Sequence, residues 1–187
     1  NDGRIGFFGR SEMENYSVVT ITIRHETLAD HAAIYALTQR AFAPMPYAAG
    51  DEQDLINALR RVGALTLSLV AVQDEVIVGH IAFSPAFAQD GSPYWFALGP
   101  VSVAPEHQSQ GIGAALIGHG IAALTAKAAA GIILTGNPDY YARFGFKPFP
   151  TLCPPEEPAK FFMILPLATP TPTAAMAFHP AFYGGGA

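Results

Sequence analysis

Leu98-Gly99-Pro100-Val101-Ser102-Val103-Ala104-Pro105-Glu106-His107-Gln108-Ser109-Gln110-Gly111-Ile112-Gly113-Ala114-Ala115 reads as strand, loop and helix in succession. Val101, Ser102 and Val103 suit the end of a β-strand, and Pro105 cannot donate to a ladder, so the strand stops there. After a polar loop, Gly111 and Gly113 open an alanine-rich run of helical character. A helix N-terminus leaves backbone N–H groups unpaired and carries partial positive charge, and glycines let an oxyanion approach the main chain closely. Such a junction suits a diphosphate.

Spacing separates three phosphate-binding patterns. A P-loop requires Lys and then Ser or Thr after its second glycine, but Ala114 and Ala115 follow Gly113. The dinucleotide fingerprint requires a third glycine and an acid about 20 residues on, where Ile133 and Leu134 stand. What remains is Gln108-x-x-Gly111-x-Gly113, with Val101 and Val103 before it and Tyr141-Ala142-Arg143-Phe144-Gly145-Phe146 after it. The plainer alternative is a tight strand-to-helix turn with no ligand, but a lone glycine pair would not bring the flanking motifs in this order.

At these residues the chain resembles the GCN5-related N-acetyltransferases, whose acyl-CoA loop reads Gln/Arg-x-x-Gly-x-Gly/Ala. Over about Thr20 to Phe182 it is similar to the YhbS-type branch of bacterial acetyltransferases. Asn137-Pro138-Asp139-Tyr140-Tyr141-Ala142-Arg143-Phe144-Gly145-Phe146 and the late His179-Pro180-Ala181-Phe182 carry that closer likeness. Two departures stand out: Asn137 replaces a usual aspartate, and Gln110 stands where many members have lysine, which weakens the expected phosphate contact there.

The resemblance implies acetyl-CoA as co-substrate, an amine acceptor and no metal. It places the cofactor against Val101, Ser102, Val103, Gln108, Ser109, Gln110, Gly111, Ile112, Gly113, Ala114, Asn137, Tyr140 and Phe144. It makes Tyr141, four residues before Gly145, the acid that protonates the departing thiolate, with Tyr140 as its competitor and a packing role as the alternative. Some relatives carry a glutamate on the strand before the loop, but Ala97 stands there in this chain. His80, Glu106 and His107 are available as proton acceptors, and none is assigned. Phe42, Met45 and Tyr47 would line the acceptor site.

The 187 residues suit one domain able to bury roughly 70% of its unfolded surface. Half the residues are hydrophobic, yet no run approaches the roughly 20 apolar residues of a membrane span. The formal charge of −5, without any basic cluster, speaks against nucleic acid and favours cationic acceptors. Cys153 is the only cysteine, so no disulfide within the chain is possible and the cytoplasm is the expected compartment. The first residues do not resemble a secretory signal, and Met13 is a candidate natural start.

Residues 1–18 are expected to be a leader, 19–168 the acetyltransferase domain and 169–187 an extension packed on it. Thr20–Arg24 reads as a first strand, with Asp30 capping a helix over His31–Phe42 and a second helix over Asp51–Arg61. Leu67–Val72 and Val76–Phe83 form a hairpin, Pro85–Pro93 a polar loop, and Tyr94–Val103 a strand bulged at Gly99-Pro100. Such a strand could leave Val101 and Val103 free to pair with a pantetheine arm. The helix from Ile112 to about Lys127 is expected to bury Ile112, Ala115, Leu116, His119 and Ala123.

Ile132–Thr135 should pair in parallel with the strand before that helix. Asn137 caps a short helix ended by Gly145, and Phe146–Phe149 and Phe161–Leu167 are the last core strands. The fold class is α/β (α+β), a mixed, mostly antiparallel sheet of six or seven strands with a splayed parallel pair and helices on both faces. The aromatic tail offers apolar surface for a possible homodimer. Two other functions remain open at this point: a non-catalytic acyl-CoA-binding module, which Ala97 favours, and a nucleotide-binding α/β domain.

Overall fold

The computed structural model describes residues 20–168 and 172–184, so the expected leader lies outside the described residues. Eight strands make one sheet: β1 (Thr22–His25), β2 (Leu67–Gln73), β3 (Val76–Ala88), β4 (Trp95–Val103), β5 (Gly131–Thr135), β6 (Lys147–Pro148), β7 (Phe162–Pro166) and β8 (Met176–Ala177). Their order is β1-β2-β3-β4-β5-β7-β6, with β8 added to the far end of β3. Only β4 and β5 run parallel among these pairs. The short β8 takes the sheet to one strand more than the sequence suggested.

The helices are α1 (His31–Phe42), α2 (Glu52–Arg61), α3 (Ile112–Ala126) and the single turn α4 (Pro138–Tyr141). Asp30 does not cap α1. A 3-10 turn over Leu28–Asp30 runs straight into the helix, and the Asp30 carboxylate turns back to accept from the Thr27 N–H at 2.7 Å and from Arg24 at 2.7 and 3.0 Å. Thr27 is therefore where the helical path begins.

Pro85 does not end β3, which continues to Ala88. Thr66 N donates to Phe83 O, and Gln89 N donates to Ala175 O, so odd-numbered residues here turn their backbone toward the β2 and β8 edge. Pro85 falls between the start of β2, at Leu67, and the end of β8, at Ala177, where a missing N–H leaves no acceptor unpaired. β6 is shorter than expected, since Pro148 and Pro150 curtail its pairing and a 3-10 turn starts at Pro150.

α3 packs on one face of the sheet through Ile112, Leu116, Ile117, Gly120 and Leu124, while Ala115 and His119 are exposed. The expected buried row was wrong at those two positions because alanine and isoleucine surround this helix almost completely, leaving periodicity little to choose between. Close approach chooses instead. A Cβ on Gly120 would stand 2.3 Å from the fully buried Phe83 ring, and one on Gly79 would stand 2.9 Å from both Ile112 and Leu116.

On the opposite face, Met176 and Phe178 join Trp95, Ala97, Ile133, Phe162 and Ile164 in a second core. The Phe178 ring lies 6.3 Å from Phe162 and 5.1 Å from Phe182, within reach of favourable aromatic contact. The described part of the tail thus buries Met176 and Phe178 inside its own chain.

Gly120→Ala should force the Phe83 ring or α3 to move, lowering unfolding stability by about 1–3 kcal/mol. Urea unfolding of the variant checks this, and an unchanged midpoint would contradict the packing described.

Candidate active site

The site begins with an extra residue in β4. Ile81 pairs with Val101 and Phe83 with Leu98, so Gly99 and Pro100 together face Ala82. This is the expected bulge. Beyond it, Ala104 N donates to Val78 O, which makes His80 with Ser102 the next hydrogen-bonded pair. Val101 and Val103 consequently turn their main-chain groups away from β3. β5 is not there to meet them, because it pairs with β4 only at Trp95, Phe96 and Ala97 and then follows β7 to Thr135. The parallel strands part at this point and leave a slot.

The mouth of α3 opens beside the slot. Gly111 caps the helix at φ +84° and Ser109 adopts φ +61°. The first amide drawn into the helix is Ala115 N, which donates to Gly111 O at 2.9 Å. Among the described residues, the N–H groups of 109–114 have no protein acceptor. Gln108, Ser109, Gln110 and Gly111 are exposed, Gly113 and Ala114 half-buried, and the Ile112 side chain belongs to the core. Two side chains fold back on the loop: Gln108 donates to Val103 O and Gln110 to Glu106 O, each at 3.2 Å. Ser102 borders the slot without facing it. Its backbone serves β3, and its buried hydroxyl lies 3.2 Å from Thr38 Oγ1 on α1.

α4 supplies the opposite wall. Asn137 caps it by accepting from Asp139 N at 3.0 Å, and Gly145 ends the following turn at φ +92°. The Tyr140 hydroxyl reaches the first turn of α3, 3.2 Å from where a Gly113 Cβ would stand. The Tyr141 ring packs against Phe146 at 5.9 Å and edge-on to Tyr140 at 5.0 Å, with Phe144 at 6.4 Å. It approaches so near to Gly136 that a Cβ there would lie 2.5 Å from it. Burial pushes the Tyr141 phenol well above its ordinary pKa, with the nearby Tyr140 and Tyr47 phenols adding to the rise. Of the expected acceptor-loop residues, Phe42 and Met45 are half-buried and Tyr47 is 80% exposed.

None of the three available bases stands free in the slot. Glu106 makes a two-pronged ion pair with Arg40 at 2.7 and 2.9 Å, His107 lies in the half-exposed loop, and Ala97 offers only a buried methyl. His80 is fully buried in a network that sequence reading missed entirely. Its hub is Glu26, which Arg60 grips at 2.9 and 3.0 Å and His31 approaches at 3.3 Å. No local signal marks the network, since its members come from the loop after β1 and from α1, α2, β2 and β3.

Burial alone would raise the Glu26 carboxyl, but contacts from His80, Arg60 and Ser68 outweigh it and hold the group well below the carboxylate range. An ionised Glu26 only accepts, so the Ser68 hydroxyl donates to it and accepts in turn from His80 Nε2 at 2.8 Å. Burial pushes the His80 imidazole down despite Glu26, and its Nδ1 is left without a protein partner. Ser84 Oγ and Thr135 Oγ1 are likewise buried and unpartnered. By strand alternation all three lie on the α1 face of the sheet, around the β4 bulge.

Two hollows, of about 350 and 380 Å³, lie elsewhere, around Tyr94 and Trp95. The slot is an open groove whose chemistry, rather than its volume, distinguishes it. Among the described residues, no cluster of three His, Cys, Asp or Glu could hold a metal, and no helix is long and apolar enough to cross a membrane.

Residues 65–148 match the family model for an acetyltransferase (GNAT) domain. Over 126 residues the chain is 35% identical to the uncharacterized N-acetyltransferase YhbS of Escherichia coli K12, covering 67% of this chain and 72% of that protein. The chain belongs to the GNAT family. It is an N-acetyltransferase by that membership, which sets aside the nucleotide-binding alternative. A GNAT acetyltransferase from Brucella melitensis, solved with acetyl-CoA, superposes with a TM-score of 0.78 at 40% identity, covering 87% of this chain and 98% of that one. E. coli YhbS, solved with CoA, gives 0.80 at 29%, covering 88% and 93%. The parted β4 and β5 and the α3 mouth are thus elements of a GNAT fold.

The His80 network sets an acid limit on stability. Unfolding frees a histidine of pKa near 6.5, so its contribution is full above that pH and declines as pH falls below it; the Glu26 contribution follows below about 4.3. Denaturation midpoints measured from pH 7.5 to 5.5 should therefore fall for the wild type, and fall less for His80→Gln, which removes that buried imidazole.

Proposed function

We propose that this chain transfers the acetyl group of acetyl-CoA to a primary amine of a small molecule or an exposed peptide, by direct attack of the amine on the thioester. The observation that carries the reading is the row of unpaired N–H groups at the α3 mouth beside the parted strands. Those amides, with the helix dipole, would bind the diphosphate. The main-chain groups of Val101 and the N–H of Val103 would pair with the pantetheine arm and face the thioester carbonyl, where negative charge develops. That the B. melitensis and E. coli relatives were solved with acetyl-CoA and CoA supports the assignment.

Tyr141 is proposed as the acid. Its raised pKa keeps the phenol protonated across neutral pH. The burial that disfavours tyrosinate also disfavours a free thiolate, so the proton transfer is less uphill than the shifted phenol alone suggests. The amine nitrogen forms the new C–N bond, the C–S bond breaks, and the sulfur takes the Tyr141 proton. With a methyl at Ala97, the amine's own proton would leave through water, for which the unpartnered Ser84 and Thr135 hydroxyls offer hydrogen bonds. The net charge of −5 and the lack of a disulfide within the chain suit a cationic acceptor and a reducing, cytoplasmic setting.

Thiol release from acetyl-CoA against a panel of amines tests the reading. Release above background with at least one amine is expected, whereas a binding module would hold CoA and release nothing. Tyr141→Phe should lower kcat about 100-fold or more while CoA still binds, the usual size of a lost general acid. Unchanged turnover would remove Tyr141 from the mechanism.

A further inference from the structure

We propose that Arg143 supplies the positive charge for the CoA diphosphate, a role that the loop at the α3 mouth does not fill. The inference rests on the CoA reading above and deepens it. A diphosphate diester brings two negative charges, and a helix end offsets only about half of one. From Pro105 to Ala115 the charge-bearing side chains are Glu106 and His107. Glu106 is acidic and already holds Arg40, and the Gln108 and Gln110 amides are turned onto main-chain carbonyls. The loop can offer amides and the Ser109 hydroxyl, but no lysine or arginine.

Among the described residues, Arg24, Arg40 and Arg60 are bound to Asp30, Glu106 and Glu26. Arg61 closes α2, Lys127 lies beyond the far end of α3, Lys147 is exposed on the edge strand β6, and Lys160 sits 4.7 Å from the Phe161 ring centre. Arg143 is placed differently. Its Nε donates to Tyr140 O at 2.9 Å, and its guanidinium carbon lies 4.6 Å from the Tyr140 ring centre. That same ring carries the hydroxyl that reaches Gly113. The Tyr140 side chain therefore links the guanidinium to the α3 mouth, and both terminal nitrogens are free of carboxylate partners among the described residues. Stacking on the ring and the Nε bond fix the side chain in advance, and the fork of N–H groups matches phosphate oxygens.

The test compares acetyl-CoA, acetyl-3′-dephospho-CoA and S-acetylpantetheine as donors for wild type, Arg143→Gln and Arg143→Lys. For Arg143→Gln, kcat/KM relative to S-acetylpantetheine should fall about tenfold for both nucleotide-bearing donors, the size of one charge-assisted hydrogen bond. Arg143→Lys should recover part of the loss, and the salt dependence of CoA binding should weaken in the glutamine variant. An equal loss with S-acetylpantetheine would make Arg143 a structural prop for Tyr140 and overturn the assignment. A loss confined to acetyl-CoA would move the contact to the 3′-phosphate and overturn it as well. A wild type that binds CoA beside a glutamine variant that binds it equally well overturns this assignment alone; a wild type that binds no CoA overturns the cofactor reading with it.

Discussion

One surplus residue in β4 organises the active face of this enzyme. Because Gly99 and Pro100 together oppose Ala82, the register of β4 against β3 shifts by one residue. Past the bulge, hydrogen-bonding parity sends the main-chain groups of Val101 and Val103 away from β3, and β5 has already turned to follow β7. A sheet interior normally satisfies every such group internally. Here Val103 O accepts from the Gln108 side chain, while the Val101 groups and the Val103 N–H face the slot.

Close packing then fixes what surrounds the slot. α3 can lie near the sheet because Gly120 admits Phe83 and Gly79 admits Ile112 and Leu116, so the helix mouth is held at a set height over the end of β4. α4 is a single turn, too short to be stable by itself, and is held by ring contacts among Tyr140, Tyr141, Phe144 and Phe146. Gly113 and Gly136 leave room for the two tyrosines, one directed to the α3 mouth and the other buried deeper. Adjacent residues on one turn are thereby given different surroundings and different chemistry.

The α1 and α2 side is built otherwise. α1 and α2 are tied to the sheet by an ionised Glu26 that joins Arg60, Ser68 and, through Ser68, the neutral His80. A charge so placed is stable only while its partners stay in position. No carboxylate stands at Ala97, and the unpartnered polar atoms around the bulge are the Ser84 and Thr135 hydroxyls and the His80 imidazole Nδ1.

The strand, glycine loop and helix from Val101 to Ala126, the parallel β5, the Asn137 cap and the Gly145 stop were legible in the sequence. Each is a local matter of backbone freedom, missing donors or side-chain period, written in residues close together. The Gly99-Pro100 bulge was legible for the same reason. Not legible were the exposed Ala115 and His119, the backward turn of Asp30, the passage of β3 through Pro85, the Glu26 hub and the place of Arg143 over Tyr140. In every one of these the deciding partner stands elsewhere in the chain or on a facing element: Phe83 for α3, Arg24 for Asp30, β8 for Pro85, Arg60 and His80 for Glu26. Chain stiffness and hydrogen-bond supply act between near neighbours and can be read from them, whereas the closeness of two packed surfaces and the neutralisation of a buried charge exist only after distant segments have met.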